Sequence, residues 1–405
     1  MPEAVIVATA RSPIGRAFKG ALKGLRPDDL TAQMVAAALA KVPALNPSDI
    51  EDLILGCGQP AGESGNNLAR VVAVLSDMDY LPGTTVNRFC ASSLQALRMA
   101  FHAIKSGEGD ALLVAGVETA SRFSRGSADW DGGNENPLFD DARVRTAQLA
   151  SGSAQWSDPR QHGSLPDIYA VMGQTAENVA QLEGVTREEQ DAYALLSQNR
   201  AEKAIAEGFW ERDITPVRLP DGTLVAADDC PRPGTTADAL ASLKPAFRPD
   251  GTVTAGNACP LNDGAAAVVV MSDVKASALG ITPLARIVST GVSALSPEIM
   301  GLGPVEASQR ALTRAGLTVD DIDLVEVNEA FAAQVIPSAR RLGIDEDKLN
   351  VNGGAIAIGH PFGMTGARIA TTLIHSLQER DLRFGLETMC VGGGQGMAMV
   401  FERLS

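Results

Sequence analysis

Apolar residues follow two rhythms along the chain. Uninterrupted runs at 4–8, 111–115 and 265–271, with shorter strand-like stretches at 50–55 and 84–87, predict buried strands. Between them, apolar residues recur at steps of three and four. Leu30, Met34, Val35, Ala38 and Leu39 predict a helix over 28–41 that Asp28 or Asp29 can cap. Residues 68–75 predict another. Leu94, Leu97, Phe101 and Ile104 put one apolar face on a helix over 92–105, which Gly107 stops. Continuous apolar strands alternating with such helices predict an α/β fold whose sheets are covered on both faces.

The rhythm breaks over 121–249. This stretch opens on Gly, Ser, Asp and Asn, returns to helical spacing at 173–183 and 187–207, and becomes proline-rich over 216–249. Long loops with helices of their own predict an inserted lid or binding surface. After it the opening pattern returns. Leu45-Asn-Pro-Ser-Asp-Ile-Glu-Asp-Leu-Ile-Leu is similar to Leu317-Thr-Val-Asp-Asp-Ile-Asp-Leu-Val-Glu-Val, with one gap. Each is followed by a Val-Asn pair, Val86-Asn87 and Val351-Asn352, then a loop and a striped helix. The second such helix shows Ile369, Leu373 and Leu377. Two related α/β halves are expected, with 1–120 and 250–275 as the first, 121–249 as the insert, and 276–405 as the second.

Composition narrows the function. The 405 residues hold 34 Lys+Arg against 49 Asp+Glu, a formal charge of −15. That surplus argues against a nucleic-acid or membrane-surface partner. No apolar run approaches the ~20 residues of a spanning helix, and the N-terminus lacks a secretory pattern. Cys57, Cys90, Cys230, Cys259 and Cys390 contain no C-x-x-C pair, and the four histidines lack metal-ligand spacing. A reduced, cytoplasmic setting without metal is expected.

Four residues could carry chemistry. Cys90, in Val86-Asn-Arg-Phe-Cys-Ala-Ser-Ser, sits where free backbone N–H groups and the helix dipole favour a thiolate. Position alone leaves it divided between a nucleophile and a small buried hydrophobe. Cys390 precedes Val391-Gly-Gly-Gly-Gln-Gly, whose glycines let backbone approach a ligand; a tight turn between core strands accounts for it as well. His360 lies in a glycine-dense loop and could donate to an oxyanion or exchange protons. Asn328, in Asn328-Glu-Ala-Phe-Ala, could position a water or a carbonyl. His102 and His375 fall in predicted helices and read as structural; His162 receives no role.

Together these segments resemble the thiolase family, the acetyl-CoA acyltransferases. The resemblance rests on Val-Asn-Arg-Phe-Cys90-Ala-Ser-Ser, Asn328-Glu-Ala-Phe-Ala, Gly353-Gly-Ala-Ile-Ala-Ile-Gly-His360-Pro with Gly363 and Gly366, and Cys390-Val-Gly-Gly-Gly-Gln-Gly, in family order. Ala10-Arg-Ser-Pro-Ile-Gly, Met172-Gly-Gln-Thr-Ala-Glu-Asn and Thr252-Val-Thr-Ala-Gly-Asn extend it over essentially the whole chain. It implies two similar α/β halves in five layers with an inserted loop domain, and a homodimer or homotetramer. It implies reversible thiolysis of 3-ketoacyl-CoA through an acyl-Cys90 intermediate, with coenzyme A as substrate and no permanently bound cofactor. Cys390 would move the α-proton. His360 and a water on Asn328 would stabilise the enolate, and the backbone N–H groups of Cys90 and Gly392 the tetrahedral intermediate. Arg232 would meet the CoA nucleotide.

Two positions depart from the family. Many relatives have Ser-Gly where this chain has Cys259-Pro260, which bears on the pantetheine contact assigned to Cys259. Val171-Met172-Gly173 replaces the His-Met-Gly common in biosynthetic acetoacetyl-CoA enzymes, so the degradative branch is expected over an acetyl-CoA C-acetyltransferase that condenses two acetyl-CoA. A ketoacyl synthase fits less well given Cys390 and His360-Pro361. A thiolase-like lipid-binding protein without turnover would be expected to lack one of the four residues, and no orienting Asp motif supports a Cys-His hydrolase.

Overall fold

A computed structural model describes residues 1–125, 135–152 and 155–405. The parts of the insert at 126–134 and 153–154 lie outside the described residues. The first half runs β1 (Ala4–Arg11), β2 (Gly15–Arg16), α1 (Pro27–Ala40), β3 (Leu53–Cys57), α2 (Leu68–Leu75), β4 (Gly83–Val86), α3 (Ser92–Ser106) and β5 (Ala111–Thr119). The next segment carries α4 (Asp140–Ser151), α5 (Met172–Glu183), α6 (Arg187–Ala206), α7 (Phe209–Asp213), the short strands β6 (Val217–Arg218) and β7 (Leu224–Val225), and α8 (Ala237–Ala241). The chain then returns as β8 (Asn262–Ser272). The second half follows as α9 (Asp273–Ala278), β9 (Ala285–Ala294), α10 (Gly303–Ala315), β10 (Leu324–Val327), α11 (Ala332–Leu342), α12 (Ala355–Ile358), α13 (Thr365–Glu379), β11 (Phe384–Val391) and β12 (Gln395–Arg403).

The strands pair in the order β10-β11-β12-β9-β1-β8-β5-β3-β4, with β2 beside β8. This order is mirrored about the β9–β1 junction, with β4 as an additional edge strand in the first half. Matching strands are β1 with β9, β8 with β12, β5 with β11 and β3 with β10, and the two segments of similar sequence lead into β3 and β10. Each half contributes its own set of strands. They join through two residue pairs, Val5 with Arg286 and Ile6 with Ala285, into one ten-stranded sheet.

Three cores set the layers. Leu30 and Met34 of α1 and Val72 of α2 pack on Leu53, Leu55 and Val269 on one outer face. Ala311 of α10 and Val335 of α11 pack on Val325 and Val400 on the other. Between them α3 and α13 lie together, with Leu97, Ile104, Ile369 and Leu373 in one core with Val268, Met397 and Phe401 from both halves. Helix, strand, helix, strand, helix is the five-layered α/β arrangement expected.

Local details shift the sequence-based boundaries. α1 starts at Pro27 with Arg26 as its N-cap, and neither Asp28 nor Asp29 caps it. Pro27 already supplies the preset φ of a first helical residue, and both acids fall in the first turn, facing the positive end of the dipole. The strand read at 50–55 begins only at Leu53, because Asn46 and Pro47 close a tight turn through Asp49 and Ile50. Gly107 does end α3, at φ +78. Among the described residues no helix is long and apolar enough to cross a membrane.

Candidate active site

Cys90 sits in the tight turn Phe89–Ala91 that leads into α3. Phe89 holds a φ of 44, a left-handed value that costs a bulky residue strain. That turn is pinned on both sides. Phe89 N donates to Asn87 Oδ1 at 2.7 Å, and Ser92 Oγ donates to Phe89 O at 2.7 Å while accepting from Arg88 N. Arg88 Nη1 then donates to Gln395 Oε1 at 2.8 Å, tying the turn to the second half.

The turn packs against β11, which carries Cys390 at its end. Two backbone N–H groups, those of Gly392 and of Cys90 itself, point at the Cys90 sulfur and favour its thiolate. The sequence placed this thiol where the helix start lowers its pKa. Burial outweighs that effect, aided by the negative charge of Glu118, and pushes the thiol up to about 12. Cys90 is therefore a neutral thiol at physiological pH. Cys390 is fully buried, and burial together with the charges of Cys90 and Cys259 raises its pKa as well. Cys259 is partly exposed, and its thiol is raised by burial and then by Cys90. The three sulfurs, remote in sequence, thus form one electrostatic group.

Cys259 N donates to Ala330 O at 3.0 Å, and Ala258 bridges to Phe331, so this strand end is laced to the Asn-Glu-Ala-Phe segment. Cys390, Ala330 and Phe331 share one small core that Cys259, Met172 and Phe247 pack against. Asn328 lies two residues before Ala330. Its Nδ2 meets His360 Nε2 at 3.2 Å.

His360 has a defined tautomer. Thr365 Oγ1 donates its proton to Pro361 O at 2.7 Å, so its oxygen accepts from His360 Nδ1–H, also at 2.7 Å. Nε2 is then the bare nitrogen and accepts from Asn328 Nδ2. Burial, with the positive charge of Arg368 behind it, pushes the imidazole down to about 3, so the ring is neutral at physiological pH. Asn328 Oδ1 is buried and has no partner. Arg232 stands apart from this group. Its N donates to Gln198 Oε1 of α6 at 3.0 Å and its Nη1 to Ala255 O at 3.4 Å.

Two buried acids that sequence reasoning left without a role hold the site's loops. Glu118, at the end of β5, accepts from Gly58 N at 2.8 Å, Gln59 N at 3.2 Å and Gly363 N at 2.9 Å. It fastens the loop after His360 to the first half. Glu329 accepts from Tyr193 Oη, Ser197 Oγ, Asn350 Nδ2 and Ile356 N, which fixes the backbone beside Asn328. The signal for Glu118 was present: it is the only charged residue in the strand AlaLeuLeuValAlaGlyValGluThr, where an acid is costly unless hydrogen-bonded.

Known proteins share this arrangement across the full chain. The family description "Thiolase, N-terminal domain" matches residues 4–274 and "Thiolase, C-terminal domain" matches 281–403. A 3-ketoacyl-CoA thiolase of Bacillus subtilis is 44% identical over 415 residues, covering 99% of this chain and 100% of the relative. A beta-ketoadipyl-CoA thiolase of Escherichia coli is also 44% identical, over 100% of both chains. The crystal structure of the Bacillus anthracis acetyl-CoA acetyltransferase superposes with a TM-score of 0.85 at 37% identity, over 100% of this chain and 99% of that one. With the mirrored halves, the two thiols and the Asn–His pair in place, these matches establish that the chain belongs to the thiolase family.

Proposed function

We propose that this chain cleaves 3-ketoacyl-CoA with coenzyme A, giving acetyl-CoA and a shortened acyl-CoA. It is an acyltransferase of the thiolase type, and acyl-CoA and CoA are its substrates. The observation that carries the mechanism is the packing of the turn bearing Cys90 against β11, whose end carries Cys390 and leads into Gly392.

Cys90 starts as a thiol and needs a base. The bare Nε2 of neutral His360 is the group to take its proton. The sulfur then attacks the keto carbon, and the Gly392 and Cys90 N–H groups stabilise the oxyanion. The C2–C3 bond breaks, leaving an acyl-Cys90 thioester and the enolate of acetyl-CoA. Protonated His360 Nε2 and a water on Asn328 Oδ1 donate to that enolate oxygen. Cys390, kept neutral by burial, gives its proton to the enolate carbon. In the second half CoA-SH gives its proton to the Cys390 thiolate, its sulfur attacks the acyl-Cys90 carbonyl, and Cys90 leaves and takes its proton back from His360 as the shortened acyl-CoA is released. Each step is reversible, because one thioester is exchanged for another.

The insert, 121–249, is the cover for the CoA arm, with Arg232 toward the nucleotide and Cys259 beside the pantetheine. The enzyme works as a homodimer or homotetramer. The exposed Val74, Leu75 and Tyr80, beside the terminal strand β4, support such a contact. Five free cysteines suit the reducing cytoplasm, and the degradative direction follows from Val171. Incubation with acetyl-CoA tests the chemistry: an acetyl mass appears on the Cys90 peptide. Cys390→Ala keeps that label but loses exchange of the acetyl-CoA α-protons into deuterated water. A label confined to another cysteine contradicts the mechanism.

A further inference from the structure

The nucleophile lies one turn away from a cavity of about 420 Å³ lined by Phe139, Leu165, Pro166, Ile168, Leu295 and Pro297, which the mechanism leaves unused. The link between the two is the glycine turn. Gly392 presents its N–H to Cys90. At the next residue, Gly393, a Cβ would lie 3.5 Å from Ile168 Cδ1 and 3.8 Å from Phe89 Cε2. Leu295 N donates to Gly394 O at 2.8 Å. Ile168 and Leu295 therefore flank the turn that holds the oxyanion and also wall the cavity. Phe89, 45% exposed beside the reacting thiol, is an apolar surface without cover in the free enzyme.

Resting on the thiolase reading, we propose that this cavity takes the uncharged acyl tail of the 3-ketoacyl substrate, and that Ile168 is a specificity-determining residue for the tail. The volume falls in the range of small-molecule sites. The walls near the turn are apolar. The polar residues that line it are Ser296, which is uncharged, and Asp158 and Arg160, which carry opposite charges and lie side by side in one turn, the Arg160 backbone N donating to Asp158 Oδ1 at 3.0 Å. A tail ending in a carboxylate would meet Asp158 as well as Arg160 and gain little, whereas an alkyl tail removes apolar surface from water at every carbon. The favoured class is thus an alkyl 3-ketoacyl-CoA, in preference to one ending in an acid.

The test is kcat/KM for thiolysis of acetoacetyl-CoA, 3-oxooctanoyl-CoA and 3-oxoadipyl-CoA by wild type, Ile168→Trp and Ile168→Ala. Wild type prefers the pentyl tail to the carboxylate tail. Ile168→Trp, which fills the passage, loses roughly ten- to a hundredfold more on 3-oxooctanoyl-CoA than on acetoacetyl-CoA. Ile168→Ala, which leaves the passage open, raises KM for the octanoyl substrate more than for acetoacetyl-CoA. Equal losses on both substrates, or a matching rise in KM for CoA, overturn the assignment and put the CoA arm in the cavity. A wild type that turns over 3-oxoadipyl-CoA faster than 3-oxooctanoyl-CoA overturns the choice of tail. An enzyme that cleaves none of the three contradicts the thiolase reading itself, a distinct result from cleavage that ignores residue 168.

Discussion

A thiol at a helix start becomes a nucleophile only when something offsets its burial. At Cys90 the two backbone N–H groups act in that direction and burial with Glu118 acts against it, with burial the larger. The thiolate is consequently scarce at neutral pH, and in the proposed mechanism the proton leaves during the reaction, toward His360 Nε2. The sign of the pH dependence follows. With the thiol near 12, the thiolate fraction grows with every pH unit through the neutral and mildly alkaline range. Carbamidomethylation of the Cys90 peptide, followed by mass spectrometry, accordingly accelerates continuously between about pH 7 and pH 10. A plateau below about pH 9 shows instead that the N–H groups dominate. Cys90, Cys390, His360 and Asn328 were legible in the sequence as candidates, because each sits in a short motif of distinctive residues. The resting state of the thiol was not, because it depends on Glu118 and on desolvation by residues from the far half.

At the scale of elements, the site is a set of loop ends held by buried acids. The loop bearing His360 is fastened at Gly363, where a Cβ would lie 2.1 Å from Val117 O, so only glycine lets it approach β5 closely enough to reach Glu118. Burial raises the Glu118 carboxyl from 4.5 to about 7, against the three backbone N–H groups that favour its charge. In the unfolded chain this group loses its proton near 4.5 and in the folded protein near 7. Between those values the native state holds a proton that the unfolded chain does not, so this stabilisation is complete below about 4.5 and fades as pH rises to 7. Urea titrations of wild type and Glu118→Gln check it. The stability advantage of wild type shrinks between pH 4.5 and 7, by on the order of 3 kcal/mol at most. A constant difference removes Glu118 as the titrating group. Helices with strong stripes, such as 92–105, were readable because burial on one face dictates their pattern. The strand read at 50–55 was started too early because the Pro47 turn imposes its own hydrogen bonds up to Ile50. The clip at Glu118 joins segments some 245 residues apart, a contact that local periodicity does not encode.

Over the whole molecule, the two halves share little backbone: β1 and β9 meet at two residue pairs. Besides the apolar middle layer and the Ala258–Phe331 link, charged side chains from the first strand, the insert and the second half connect them. Arg11 of β1 donates from Nε to Asp213 Oδ2 at 2.7 Å and from Nη1 to Asp228 Oδ1 at 2.6 Å, and stacks 5.1 Å from the Trp210 ring. His375 of α13 meets Asp213 Oδ1 at 2.9 Å, and Thr372 Oγ1 donates to Oδ2 at 3.2 Å. His375, read from the sequence as a structural helix residue, thus belongs to the joint between halves. Burial alone would raise the Asp213 carboxyl, but the Arg11 charge and the His375 hydrogen bond outweigh it and hold the group well below the usual carboxylate range. Its contribution is therefore present above the unfolded carboxylate pKa and lost only under strong acid. Asp213→Asn leaves Arg11 buried with one acid in place of two, and removal of one partner of a buried pair costs about 3–5 kcal/mol. Chemical denaturation at pH 7 reads that loss. Because α13 also carries Thr365, which orients His360, the variant slows acylation of Cys90 at temperatures where it is still folded. A variant with unchanged stability and unchanged acylation shows that the halves are held by the apolar middle layer alone, and that the ion pairs add nothing to it.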